Sequence, residues 1–156
     1  MRKSKNMDNN KKNNPLLPWK EGENVQRALL EWFGTYPDLP AEPSFESLPD
    51  DGPGLCLSTI QAANRLKSYI AGGYLAQYQF NLIYRIQPSD SEDQLAAVEL
   101  LNKMGAWAEQ NQTGPALPEG AYFRKIVRTN NAAILAAYED GTRDYQIALT
   151  MTWEVI

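Results

Sequence analysis

From Tyr74 to Ile86 apolar and polar residues alternate along the chain. Tyr74, Ala76, Tyr78, Phe80, Leu82, Tyr84 and Ile86 fall on one side, and Gln77, Gln79, Asn81 and Arg85 on the other. That period of two is the pattern of a strand with one buried face. Strands usually run about five or six residues. At roughly 3.3 Å per residue this one reaches about 40 Å, near the width of a small domain. The pattern predicts a strand that projects past its own core, so that something else must cover the excess. A chain of this kind is expected to contact copies of itself. The final segment, 143–156, repeats the pattern at similar length: Tyr145, Ile147, Leu149, Met151, Trp153 and Val155 alternate with Gln146, Thr150, Thr152 and Glu154.

Between these strands the period changes. In 23–33, Val25, Ala28, Leu29, Trp32 and Phe33 form one helical stripe, closed by Gly34 and Pro37. Residues 15–22 read as a hinge into it. Residues 37–53, with five prolines and five acidic side chains, read as an extended connector. A short strand is expected over 54–59, and a hairpin joins 65–70 to Tyr74–Ile86 around Ala71-Gly72-Gly73. A three-residue loop with a left-handed glycine keeps Leu66 opposite Tyr78 and Ile70 opposite Tyr74, whereas a two-residue turn would set Lys67 opposite Tyr78. A second helix spans 92–110, with Ser91 and Gln94 as a capping box and Leu95, Val98, Leu101, Met104 and Ala108 as its stripe, widened by Leu100 and Trp107. Ala121–Arg128 and a hairpin of 132–138 with 143–156 complete the chain. The expected class is α+β: two helices packed on one face of a mostly antiparallel, partly overlong-stranded sheet.

The 156 residues fit one domain at 23–156, preceded by a basic arm at 1–22. Residues 1–20 carry +5, from Arg2, Lys3, Lys5, Lys11, Lys12 and Lys20 against Asp8; the remainder carries −9, giving the net −4. The Asn- and Lys-rich start is expected to be disordered in isolation. It reads either as an arm that docks on an acidic partner or nucleic acid, or as an untethered extension, even one upstream of a start at Met7. An acidic body argues against DNA binding by the folded part. No apolar run approaches a membrane span, so no membrane association is expected. The single cysteine, Cys56, excludes an internal disulfide and reads as a small buried hydrophobe in a reducing cytoplasm.

Candidate chemistry is sparse. With no histidine, the commonest general base and metal ligand are missing, and one cysteine cannot build a zinc site. No glycine-rich phosphate cradle is present. Two carboxylate groups remain, Glu46, Asp50 and Asp51 in the connector and Asp90, Glu92 and Asp93 at the second helix start. They read as a solvated loop and helix-cap electrostatics. Trp19, Trp32, Trp107 and Trp153 read as core, and Arg124, Lys125 and Arg128 as a small solvated basic patch. No enzymatic activity, cofactor or metal is expected.

Three segments carry a resemblance: LPDDGPGLCLSTIQ (48–61), KSYIAGGYLAQYQFNLIYR (67–85) and EDGTRDYQIALTMTWE (139–154). Together they resemble the minor capsid protein family of tailed bacteriophages, small proteins of head–tail joining. The resemblance covers about 23–156 and leaves the basic arm uncovered; its motifs are turns and strands, not catalytic residues. The family is similar to tail terminators of long-tailed phages, α+β subunits that form a six-fold ring on the head-proximal end of the tail tube. It implies a structural, non-enzymatic virion protein of the tail or neck region, assembled in the host bacterial cytoplasm. The implied partners are further copies in a homo-hexameric ring, the tail-tube protein and a head-connector or neck protein, with DNA passing through the lumen without specific binding. The hairpin then supplies the subunit-interface candidates Tyr69, Ile70, Ala71, Gly72, Gly73, Tyr74 and Leu75, and the arm supplies the partner-docking candidates Arg2, Lys3, Lys5, Lys11 and Lys12. Three alternatives stay open. They are another head–tail neck or connector component, a monomeric binding module with a nucleic-acid-binding arm, and a carboxylate-dependent hydrolase using Glu46, Asp50 or Asp90.

Overall fold

A computed structural model describes residues 15–156. In chain order its elements are α1 (Trp19–Phe33), β1 (Pro43–Phe45), β2 (Gly54–Ser68), β3 (Tyr74–Ile86), α2 (Ser91–Gln110), β4 (Ala121–Arg128), β5 (Ala133–Ala137) and β6 (Arg143–Val155). The strands form one six-stranded sheet in the order β1-β2-β3-β6-β4, with β5 also paired to β6. All pairings are antiparallel except β1 with β2. Both helices lie on one face, α1 against β1 and β2, α2 against β4, β6 and β3. The expected α+β architecture is thus the one observed.

The long strands have the predicted length but a different cover. All thirteen residues of β3, Tyr74 to Ile86, pair with β6, from Val155 back to Arg143. The excess of one overlong strand is covered by the other, within the same chain. On its far side β6 is long enough to hold two partners end to end, β4 along Leu149–Val155 and β5 along Arg143–Gln146.

The inward residues of these strands, among them Leu55, Leu57, Tyr78, Phe80, Leu82, Ile126, Ile147, Leu149, Met151 and Trp153, are buried under the helices. Each such large side chain contributes roughly 1.5–3 kcal/mol of burial. From α1 come Val25, Leu29, Trp32 and Phe33, and from α2 come Ala97, Leu101, Met104, Gly105 and Ala108. Leu95 departs from its predicted place in the stripe and is 57% exposed. Trp19 is 69% exposed and so is not core, while Trp107 stacks on Trp32 with ring centroids 4.6 Å apart.

Several boundaries move for tertiary reasons. Residues 15–18 are no hinge: Leu16 bridges Asn64, the Arg65 amide donates to the Pro15 carbonyl at 2.7 Å, and α1 starts at Trp19 behind Pro18. The proline-rich connector contains β1. The two expected strands before the hairpin are one, β2, whose register shifts between Thr59 and Gln61, Gln61 and Asn64, and Arg65 and Lys67. Each irregularity breaks the alternation that a sequence reading follows. The hairpin loop is three residues long but sits one position earlier, Ile70-Ala71-Gly72, closed by Tyr69 and Gly73 (Tyr69 N to Gly73 O 3.0 Å, Gly72 N to Tyr69 O 3.2 Å). Ser68, not Ile70, therefore faces Tyr74. At α2 the cap is Asp90, which accepts from the Asp93 amide at 3.0 Å, instead of the Ser91–Gln94 box. Gln94 is taken up by the Tyr145 hydroxyl, which donates to it at 2.9 Å. Among the described residues no helix is long and apolar enough to cross a membrane.

Candidate assembly surfaces

The hairpin end of the sheet divides the seven interface candidates into two sets. Ile70 is fully exposed, and Ala71 and Gly72 are exposed beside it. Tyr69, Gly73, Tyr74 and Leu75 are half-buried. Gly73 has φ +82° and packs so closely on β6 that a Cβ would lie 2.2 Å from the Val155 carbonyl oxygen. Tyr74 points to the helix side, where its hydroxyl donates to Glu21 and the Arg65 guanidinium lies 4.2 Å from its ring centroid. Glu21 also accepts from the buried Trp153 indole at 3.2 Å. Burial, then the hydrogen bond to Glu21 and its charge, push the Tyr74 phenol above its ordinary range. The first three residues of the tip are therefore available to a partner, and the next two tie the hairpin to α1 and β6. The arm candidates Arg2, Lys3, Lys5, Lys11 and Lys12 lie outside the described residues. Where the described residues begin, the Pro15 carbonyl accepts from the Arg65 amide of this same hairpin.

The sheet face opposite the helices is uncharged across its middle, where Gln77, Gln79, Asn81, Gln146, Thr150 and Thr152 of β3 and β6 lie half-buried side by side. Charged pairs close it at both ends. At one end Arg124 pairs with Glu154. At the other Arg85 holds Asp144 through two bonds of 2.8 and 2.9 Å, and the Tyr138 hydroxyl donates to the same carboxylate at 2.7 Å. Burial opposes ionisation of Asp144, but the bonds from Arg85 and Tyr138 and the Arg85 charge outweigh it and hold its pKa low. The hydrogen bond to Asp144 in turn raises Arg85 and Tyr138. Arg85 also donates to the Pro49 carbonyl at 3.1 Å, tying the connector to this end. Next to it Cys56 is buried as expected, and burial pushes its thiol up to about 11.

The candidate carboxylates do not converge. Glu46 accepts from the Thr59 amide at 2.5 Å and from the Ser58 hydroxyl at 3.0 Å, capping the backbone where β1 leaves β2. Asp90 caps α2, Asp93 accepts from the Ser89 amide, and Asp50 and Asp51 are exposed in a turn. Among the described residues no group of three or more His, Cys, Asp or Glu is placed to hold a metal ion. Of the basic patch, Arg124 and Arg128 are engaged by Glu154 and Glu109, and Lys125 is exposed.

Sequence reading missed a second kind of surface. The two lateral edges of the sheet, β1 with β2 on one side and β4 with β5 on the other, expose Phe45, Ile60, Tyr122, Val127, Ile134 and Leu135. The signal was present in 131–138, NAAILAAY, a stretch without a charged side chain. Nothing in the sequence said that it would sit at an edge.

These features define an open α+β sheet with two helices on one face, whose candidate surfaces are the hairpin end and the two lateral edges. No protein-family model matches the sequence, and no curated protein matches it. Solved structures do share its fold. A chain of the "Virion of native gene transfer agent (GTA) particle" is similar with a TM-score of 0.63 at 11% identity, over 88% of this chain and 99% of that chain. At that identity the likeness is one of fold.

Proposed function

We propose that this chain is a structural protein of phage-like virion assembly, and within that class a tail terminator. The observation that carries the reading is the fold likeness to a chain of a virion particle, which extends over 99% of that chain. The scattered carboxylates and the absence of histidine favour a non-enzymatic role. In this reading copies of the chain close into a six-fold ring on the head-proximal end of the tail tube. The ring stops tube growth and presents a surface to the head connector or neck. The hairpin tip Ile70-Ala71-Gly72 reaches a neighbouring subunit at one end of the sheet, and the basic arm docks on an adjoining tail or neck protein. DNA passes through a lumen in a body whose net negative charge does not grip phosphates.

The test is the mass of the protein in solution over a range of concentrations, alone and with the tail-tube protein, alongside electron microscopy of tube ends. A six-fold species that caps the tubes is expected. A monomer in both conditions that leaves tube growth unchanged would overturn the reading.

A further inference from the structure

The two ends of the sheet carry opposite charge. At the end away from the hairpin, Asp50 and Asp51 before β2, Asp90, Glu92 and Asp93 at the start of α2, and Glu139 and Asp140 between β5 and β6 are all exposed. Strand register brings these turns together: Arg85 stands between Gly54 and Asp144, and Gln87 donates to the Asp140 carbonyl at 3.2 Å. The bases at this end are Arg85, committed to Asp144, and Arg143. At the hairpin end the balance is reversed, and Lys20, Arg65, Lys67, Arg124 and Lys125 outnumber Glu21, Glu119 and Glu154. Of those acids, Glu154 is held by Arg124, and Glu21 accepts from Trp153 and Tyr74. The basic residues 1–14 precede Pro15, whose carbonyl meets Arg65 at this same end.

The ends also differ in shape. Ile70 at the hairpin tip is the most exposed large apolar side chain among the described residues. The acidic end has a 290 Å³ depression between the last residues of β3 and the first turns of α2, lined by Tyr84, Ile86, Pro88, Ala96 and Leu100 together with Asp93. At about 30 Å³ for each water-sized group, it has room for the sec-butyl group of an isoleucine. A basic end with an apolar knob and an acidic end with an apolar socket complement each other, and neither complements itself.

We infer that the hairpin tip of one copy seats Ile70 in this depression of a second copy of the chain, with the bases of the hairpin end facing the acidic turns around it. The contact is head-to-tail, so its repetition makes a ring when the rotation closes. The inference rests on the ring reading above and names the surface that receives the tip.

Cysteines placed at the two contact positions test this directly. Ile70 and Ala96 are both exposed and the native Cys56 is buried, so the variants should fold, which circular dichroism checks. Ile70→Cys chains mixed with Ala96→Cys chains under mild oxidation are expected to give mixed disulfide dimers in roughly tenfold excess over like-with-like dimers, because docking makes the meeting of the two thiols intramolecular. A chain with both changes should give a ladder of covalent oligomers. Adding Lys67→Glu to the Ile70→Cys chain should cut the mixed-dimer yield severalfold, and Glu92→Lys on the receiving chain should recover it. Each mixture is read alone and on tail-tube ends. Random pairing of the cysteines in both settings, or a yield that ignores Lys67→Glu, would overturn the inference. Random pairing on tubes that are still capped by six-fold rings would leave the ring reading standing and assign ring closure to another surface. A ladder that neither closes nor caps tubes would sink the terminator reading and leave the tip-in-socket contact standing.

Discussion

Arg85 of β3 and Asp144 of β6 face each other directly across the sheet and are joined by two hydrogen bonds, 2.8 and 2.9 Å, with Asp144 only 2% exposed. The pair also anchors Tyr138 and the Pro49 carbonyl, so one ion pair holds the connector, the β5–β6 turn and strands β3 and β6 together. Removing one member of a buried pair strands the other.

Asp144→Ala is therefore expected to cost about 3 kcal/mol, the low end for such pairs because Arg85 keeps some access to water. The folded-state pKa of Asp144 is depressed, so its contribution is present above the ordinary carboxylate value and is lost as pH falls through the folded one. Urea unfolding of wild type and variant should differ at pH 7, and the difference should shrink below about pH 4. A gap that persists unchanged into acid would show that the pair is not its source.

Gly72 and Gly73 are adjacent and should respond very differently. Both have positive φ, but a Cβ on Gly72 meets nothing within 4 Å, whereas one on Gly73 meets the Val155 carbonyl oxygen at 2.2 Å. Gly72→Ala should cost roughly 1–2 kcal/mol of backbone strain. Gly73→Ala adds a collision with β6, for about 3 kcal/mol or more. Thermal unfolding would rank them, and equal costs would contradict the packing described. Gly72 is accordingly the position at which to probe association without unfolding the sheet.

Glu21 accepts from both Trp153 and Tyr74. Glu21→Ala leaves the fully buried indole N–H without its acceptor, at a cost of roughly 1–3 kcal/mol. The Tyr74 phenol is raised in the folded state, so the stability linked to it is present below its ordinary pKa of 10.0 and declines as pH rises toward the folded value. Ultraviolet titration should find Tyr74 among several late-ionising tyrosines in the wild type, and one of that group should ionise earlier in Glu21→Gln.

Truncation should show a sharp boundary. Deleting residues 1–14 is expected to leave the melting temperature of the folded part nearly unchanged. Deleting residues 1–20 removes the Pro15 and Leu16 contacts to β2 and the first residues of α1, and should lower it by several degrees. Equal effects of the two deletions would show that this entry segment is not structural.

Much of the fold was legible because it rests on local periodicity. The alternations in Tyr74–Ile86 and 143–156, the stripe from Val25 to Phe33 and the turn residues at Gly72 and Gly141 each express a backbone geometry in a few neighbouring positions. The α+β class followed from them, as did the burial of Cys56 and Trp153. Bulges defeat this kind of reading, and β2 was divided in two because its three register shifts each interrupt the alternation. The candidate hairpin was legible as a hairpin, but its division into an exposed tip and a pinned base depends on β6, some eighty residues further along the chain.

The sequence by itself determined the element types, the two overlong strands and the scarcity of catalytic side chains, because these follow from residue identity and short-range spacing. Only the tertiary structure decided which strand covers which, that Arg85 and Asp144 meet, and that Gln61 and Val127 stand at opposite ends of one rung. Those relationships are set by strand order and register. Both are global outcomes of burying one sheet face under two helices, and no local pattern encodes them.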